Sequence, residues 1–468
     1  MEATAQSVED YLIDALSFKL KPGASYITNR RSVSYFPVGG NQYSPAGVKV
    51  IKILLTGDQW LDPGTVRIQF TIANNAGAAQ MLRVVSGPWS FFRRVRILAG
   101  GQILEDMDDY NRIHEMFHIL QDPKNRVNDD IEGFGMRYDN NTSGATVAPG
   151  VGGNHMDINY ASTVAGGSQR VVMFKLLSGI FNQDKFLPIR YMPITLEIEL
   201  TSLVTDPIIY PADIYAGALP IPAGFPFATV NTSNQWQIQD VQLKCDVCSL
   251  DNALDNEYAQ HLLSGKSLPI NYNTYVSQTQ QMVGQNLSIN VTRALTRLKS
   301  IFINMDKTRA NEGNQANLLH WSKSFNDFFH SMGGSLVGVN ATPGVYDPAR
   351  EMEFQFQIGS KLYPEYPIRS SAEAFYQLRK TLGIHTSSFH NVDITPQQWI
   401  YNKFVIAIDT EKVLAAGFTG LNTRAGDLLT IKVKHMTADP LSQADKMQII
   451  LHADMVLNIR DTGVEVME

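Results

Sequence analysis

The chain has 468 residues, 45 acidic against 39 basic, and a formal net charge of −6. A pI near 5.9 excludes nucleic-acid binding driven by bulk positive charge. Two cysteines are too few for a disulfide framework, and no apolar run of 18 residues predicts a membrane-spanning helix. The length predicts two or three domains. With only 18% charged residues, much of the surface falls to Asn, Gln, Ser, Thr and Gly.

In chain order, residues 1–18 (MEATAQSVEDYLIDALSF) carry acidic side chains and no long apolar core, so they do not read as a secretory signal. Residues 7–18 instead predict an amphipathic helix with Val8, Tyr11, Leu12, Ala15 and Leu16 on one face. Lys19, Lys21, Arg30 and Arg31 make the following stretch basic, and residues 1–44 read as an N-terminal arm. Its apolar face, with Val8, Tyr11, Leu12 and Leu16, either packs on its own domain or docks on a neighbouring subunit, a minor protein or an anionic surface.

Period-two alternation dominates the rest: VRIQFTI (66–72), ITLEIEL (194–200), EFQFQI (353–358) and LTIKVK (429–434) each read as half-buried antiparallel strands. Further strands are expected at 49–55, 94–98, 171–177, 238–247, 287–291, 404–408 and 447–457. Helical patterns are few: near 107–121, 252–264, 324–332 and 371–382, the last with Ser370 and Glu373 at capping-box spacing. Gly100 and Gly101 between two apolar runs predict a tight hairpin rather than a phosphate loop. The polar stretch 122–166 is too long for a simple turn and reads as an excursion at one end of a sandwich.

Residues 114–118 spell His-Glu-x-x-His, the spacing with which a helix offers two imidazoles to one zinc and a glutamate to its bound water. A third ligand is missing from the expected place: Ile119, Leu120, Gln121, Asp122 and Pro123 follow, and the next histidine is His155. Asp129, Asp130 or Glu132 could complete a site. The competing reading is a helix packed through Ile113, Met116, Phe117 and Leu120, with His114, Glu115 and His118 toward its polar flank. That reading is preferred, with no metal, cofactor or catalytic residue assigned.

Cys245 and Cys248 lack the second pair a zinc ribbon needs, and on a strand residues three apart face opposite ways, so both are expected as buried free thiols. Glu105, Asp106, Asp108 and Asp109 precede the helix and are expected to complement its dipole rather than to bind a cation.

A faint repeat of domain size runs through the chain. LKCDV (243–247) resembles LHADM (451–455), RRVRI (93–97) resembles TRLKS (296–300), and FKLLSGIF (174–181) resembles EKVLAAGF (411–418). Together with the strand inventory this predicts an all-β fold of two consecutive eight-stranded jelly rolls with a few short helices and long loops. The expected boundaries are an arm at 1–44, a first jelly roll at 45–250, a connecting helix at 251–266 and a second jelly roll at 267–468.

Three segments carry a resemblance to a known family. SGPWSFFRRVRILAGGQILEDMDDYNRIHEMFHIL (86–120), VQLKCDVCSLDNALDNEYAQHLLSGKSLPI (241–270) and RALTRLKSIFINM (293–305) are similar to segments of double jelly-roll major capsid proteins, most closely those of Polinton-like viruses and virophages. The resemblance implies a homotrimer whose six jelly rolls form a near-hexagonal tile of an icosahedral shell, with loops outward and the arm beneath. It also implies that the helix at 111–120 is structural and the protein no enzyme. Implied partners are neighbouring capsomers, penton and minor capsid proteins, an inner membrane or packaged DNA beneath the shell, and a host receptor at the outer loops. The implied location is the virion, after synthesis in the host cell cytoplasm. The readings set against it are a zinc metallopeptidase built on His114, Glu115 and His118, and a jelly-roll glycan-binding module using the loops at 122–166 and 304–350.

Overall fold

The computed structural model describes residues 26–78, 80, 82–84, 86–134, 163–208, 233–306, 352–384, 403–412, 420–424, 428–435 and 446–467, with Val392, Ile394 and Trp399. Eight strands build its first half: β1 (Ile27–Tyr35), β2 (Val50–Leu55), β3 (Trp60–Asn74), β4 (Phe92–Ala99), β5 (Gln102–Met107), β6 (Gln169–Phe174), β7 (Ile194–Leu200) and β8 (Trp236–Leu250). Eight more build the second: β9 (Leu268–Gln281), β10 (Leu287–Val291), β11 (Leu298–Asp306), β12 (Glu353–Ile358), β13 (Lys361–Ile368), β14 (Val405–Asp409), β15 (Leu429–Lys434) and β16 (Lys446–Arg460). The described helices are α1 (Tyr110–Ile119), α2 (Pro123–Glu132), α3 (Asn252–Leu263) and α4 (Ser371–Thr381).

All pairings are antiparallel. The first half forms the sheets β1-β8-β3-β6 and β2-β7-β4-β5, and the second forms β9-β16-β11-β14 and β10-β15-β12-β13. Adding eight to each label of the first pair gives the second, so the two halves share one strand order. That order, with the first strand beside the last and consecutive strands in opposite sheets except at the β4–β5 and β12–β13 hairpins, is the jelly roll. Short strands at Gln42–Tyr43 and Leu187–Pro188 extend the first roll, and Gly463–Met467 pairs with β16.

Alternation along each strand builds the core. Ile53, Leu196 and Ile97 lie side by side across β2, β7 and β4, all fully buried. Ile289, Ile431 and Phe356 form the corresponding row in the second roll. Each such side chain contributes about 1.5–3 kcal/mol by leaving water. Gly100 (φ +55°) and Gly101 (φ +83°) make the two-residue β4–β5 turn, where both positions need left-handed backbone. Ser370 caps α4 by accepting from the Glu373 amide at 3.0 Å, and Asp251 caps α3 through the Ala253 amide.

Two expectations need correction. Residues 27–35, assigned to the arm, are a sheet strand: β1 pairs with β8, and Arg30 bridges Asp62 and Asp246 at 2.7 and 2.9 Å. Its two faces are largely exposed, so no apolar alternation marks it, and its partner lies more than 200 residues away. The repeat between 93–97 and 296–300 is out of register, because the first segment lies in β4 and the second enters β11, the counterpart of β3. The pairing of Leu243 with Leu451 does join equivalent strands, β8 and β16. The helices expected at 7–18 and 324–332, with Val8, Tyr11, Leu12 and Leu16, lie outside the described residues.

Candidate functional site

The helix carrying His114, Glu115 and His118 is α1. It begins where β5 ends, after Asp109 turns the chain through left-handed backbone (φ 52°). The expected apolar stripe is present, since Ile113, Met116 and Leu120 are buried, with Phe117 half-buried. The expected polar flank is absent. His114 is 8% exposed and Glu115 and His118 are fully buried, because Trp89, Phe174 and α2 of the first roll cover that side of the helix.

Each residue of the motif meets the surrounding protein. The Glu115 carboxylate accepts from the Ser86 hydroxyl and from the Trp89 indole N–H at 2.8 Å. Trp89 also stacks on the His114 ring, with centroids 4.2 Å apart and planes 22° apart. His114 Nε2 lies 3.3 Å from the Lys175 carbonyl, and His118 Nδ1 lies 3.2 Å from the Asp129 carboxylate of α2. Burial, with His118 alongside, pushes the His114 pKa down to about 3, so its ring is neutral at ordinary pH. Of the rescue ligands weighed for zinc, α2 thus brings Asp129 to His118. Among the described residues, no group of three or more His, Cys, Asp or Glu is arranged to hold a metal ion. Both of these hydrogen bonds fall on one carboxylate oxygen of Glu115, Oε2.

The outer side of α1 meets the second roll. Phe117 packs on Tyr275 of β9 and Phe302 of β11, with ring centroids 4.6 and 5.1 Å away. Asp109 receives Lys446 Nζ and the Thr279 hydroxyl, each at 2.9 Å. Burial opposes the Asp109 charge, yet Lys446 and these hydrogen bonds hold its pKa below the usual value. Behind Tyr275, His452 stacks on the ring at 4.9 Å and bonds Ser300, and burial takes its pKa down to about 3.

Sequence reasoning missed the residue at the centre of this seam. Glu105, expected with Asp106, Asp108 and Asp109 near the helix dipole, lies on β5 and is 2% exposed. Its carboxylate accepts from the Ser178 hydroxyl and the Gly179 amide of the first roll, and from the Thr274 hydroxyl of β9. Burial nevertheless pushes its pKa up to about 7. Asp106 pairs instead with Arg94, and Asp108 with Arg93. The signal available in advance was the period-two spacing that puts Glu105 on the same strand face as Met107, hidden by the acidic run. Close by, Tyr272 of β9 donates to the Leu104 carbonyl at 2.9 Å, and Gly179 sits so near Asn273 that a Cβ would lie 1.3 Å from its carbonyl oxygen. A cleft of about 950 Å³ opens beside the seam, lined by residues that include Arg67, Asp129, Lys175, Asn271 and Lys299. Cys245 and Cys248 are free and buried on β8, and burial pushes the Cys245 thiol up to about 12.

Solved structures share the fold. The chain superimposes on PBCV-1 VP54, fitted into a reconstruction of the virophage Sputnik, over 97% of its length and 100% of that chain, with TM-score 0.58 and 12% identity. The Faustovirus major capsid protein matches over 97% of this chain and 93% of its own, with TM-score 0.54 and 11% identity. A chain of the Sputnik virophage matches over 100% and 94%, with TM-score 0.60 and 10% identity. The fold is the viral double jelly roll. Sequence comparison adds nothing to this, for no family model and no curated protein matches the chain. In this double jelly roll the His-Glu-x-x-His helix is the wedge between the rolls. Among its described residues no helix is long and apolar enough to cross a membrane.

Proposed function

We propose that the chain is a viral major capsid protein, a homotrimer whose six jelly rolls make a pseudo-hexameric tile of an icosahedral shell. The observation carrying this is the end-to-end likeness of both rolls to capsid proteins of viruses. The two rolls repeat one strand order, so a trimer presents six similar units around its axis. The work of such a protein is self-assembly rather than turnover, and the buried, hydrogen-bonded state of Glu115 supports a structural motif. Placement near Polinton-like viruses and virophages rests on the segments 86–120, 241–270 and 293–305. In this reading the partners are further capsomers, penton and minor capsid proteins, a membrane or DNA beneath the shell, and a receptor outside, and the location is the virion after synthesis in the host cell cytoplasm.

Native mass spectrometry with electron microscopy tests the proposal. A species of about 156 kDa, three times 52.1 kDa, that forms hexagonal tiles or shells is expected. A monomer at all concentrations overturns it.

A further inference from the structure

One lysine of the second roll stands between two carboxylates that come from different parts of the chain. Lys299 Nζ lies 3.1 Å from Glu411 Oε1 and 3.7 Å from Asp454 Oδ1. The three side chains are little exposed, at 17%, 9% and 7% in that order. Lys299 and Asp454 line the cleft beside the seam.

Backbone contacts fix each member of this cluster. The register between β11 and β16 slips between Leu298 and Ser300, so Lys299 is the extra residue of a bulge, a device that re-aims a side chain. The Asp454 amide donates to the Arg297 carbonyl at 3.1 Å, and the Arg297 guanidinium donates back to the Asp454 carbonyl. On the other side of the lysine, the Thr410 amide donates to the Lys299 carbonyl at 2.8 Å and the Thr410 hydroxyl to the Leu298 carbonyl at 2.7 Å. These bonds bring the next residue, Glu411, against Nζ, and the Asp409 carboxylate accepts from the Glu411 amide at 2.8 Å. A simple ion pair asks for one partner and tolerates loose geometry. Here two paired strands hold an amine against a carboxyl group, and a second carboxylate meets the same nitrogen.

We infer that Lys299 and Asp454 condense into an intramolecular amide, with Glu411 carrying the protons. Glu411, the nearer carboxylate, takes a proton from the ammonium as general base. The freed electron pair of Nζ attacks Asp454 Cγ, so the Nζ–Cγ bond forms and one Cγ–O bond breaks. The departing oxygen takes up the two protons that the nitrogen gives up, relayed by Glu411, and leaves as water. Glu411 ends as it began, and no oxidant or other reactant is consumed. Between free molecules in water such a condensation is unfavourable, but fixed geometry raises the effective concentration to as much as about 10⁵–10⁸ M. Burial acts in the same direction, because two opposite charges become one neutral group. The bond ties β11 to β16 and closes the chain from β12 to β15, with α4, into one covalent loop that restrains the unfolded state. It needs only a folded second roll and stands apart from the capsid reading.

Peptide mass mapping of the digested full chain tests it. The peptides carrying Lys299 and Asp454 are expected as one linked species, lighter than their sum by one water, about 18 Da. Lys299→Arg keeps the charge and Glu411→Gln removes the proton carrier. Each is expected to release the two peptides separately and to melt at lower temperature, with unchanged circular dichroism. Separate peptides from the unaltered chain overturn the bond, whatever the variants do. A link that persists in Glu411→Gln, or that maps to Glu411 instead of Asp454, overturns the assigned roles.

Discussion

Glu105 is a carboxyl group held in the seam by donors from both rolls, and its ionisation should set part of the pH dependence of stability. Its ordinary value is 4.5 and burial raises it to about 7, so the folded state binds the proton more tightly than the unfolded state. Its contribution is therefore complete below about pH 4.5 and lost as pH rises through 7, a difference of about 3 kcal/mol. His114 and His452 act in the opposite sense: their pKa values fall from 6.5 to about 3, so they favour the fold above 6.5 and less as pH drops toward 3. Comparing Glu105→Gln with the unaltered chain isolates the first effect. Thermal melts between pH 5 and 8 should show the unaltered chain losing stability relative to the variant as pH rises; parallel curves would exclude Glu105 as the titrating group. Glu115 makes a different prediction. Glu115→Ala strands the Ser86 hydroxyl and the Trp89 indole N–H in a buried site, at about 1–3 kcal/mol each. Denaturant unfolding should register that loss. Stoichiometric zinc that disappears in His114→Ala would instead revive the peptidase.

At the scale of elements, α1 is a helix with two buried sides, and only one belongs to its own jelly roll. Phe117→Ala removes the ring between Tyr275 and Phe302 and should cost about 2–4 kcal/mol, less than a fully buried Phe because the side chain is half-buried. Gly179→Ala attacks the same seam at another point of the first roll, by driving a methyl group into the Asn273 carbonyl of the second. Both substitutions leave the cores of the two sandwiches untouched. The expected result is that the rolls separate before they unfold, seen in calorimetry as one transition splitting into two. A single transition shifted as a whole would mean that the rolls stay docked until they melt.

The whole molecule is two copies of one strand order joined through unlike surfaces. The native mass of the unaltered chain reads whether its association closes at three, at about 156 kDa, three times 52.1 kDa.

Where burial is one-sided, the sequence shows the element: ITLEIEL, EFQFQI, LSINV and LTIKVK are β7, β12, β10 and β15 at their full lengths, because core and solvent impose period two on them. The Gly-Gly turn and the Ser370 cap were legible for the same local reason, since backbone geometry there demands particular residues. Elements whose environment comes from distant chain were not. β1 is exposed on both faces and is a strand only because β8 supplies its hydrogen bonds. α1 looked amphipathic because its polar side is covered by Ser86, Trp89, Phe174 and Asp129, and its Phe117 by the second roll, none of which the helix's own pattern shows. The two imidazoles and the glutamate therefore read as a polar flank, and Glu105 as one acid among four. By itself the sequence determined an all-β chain of two similar halves, since alternation and spacing are local. Only the tertiary structure decided that the zinc-like motif is the wedge between those halves and that a buried carboxylate sits at their seam, because both depend on which surfaces the folded rolls bring together.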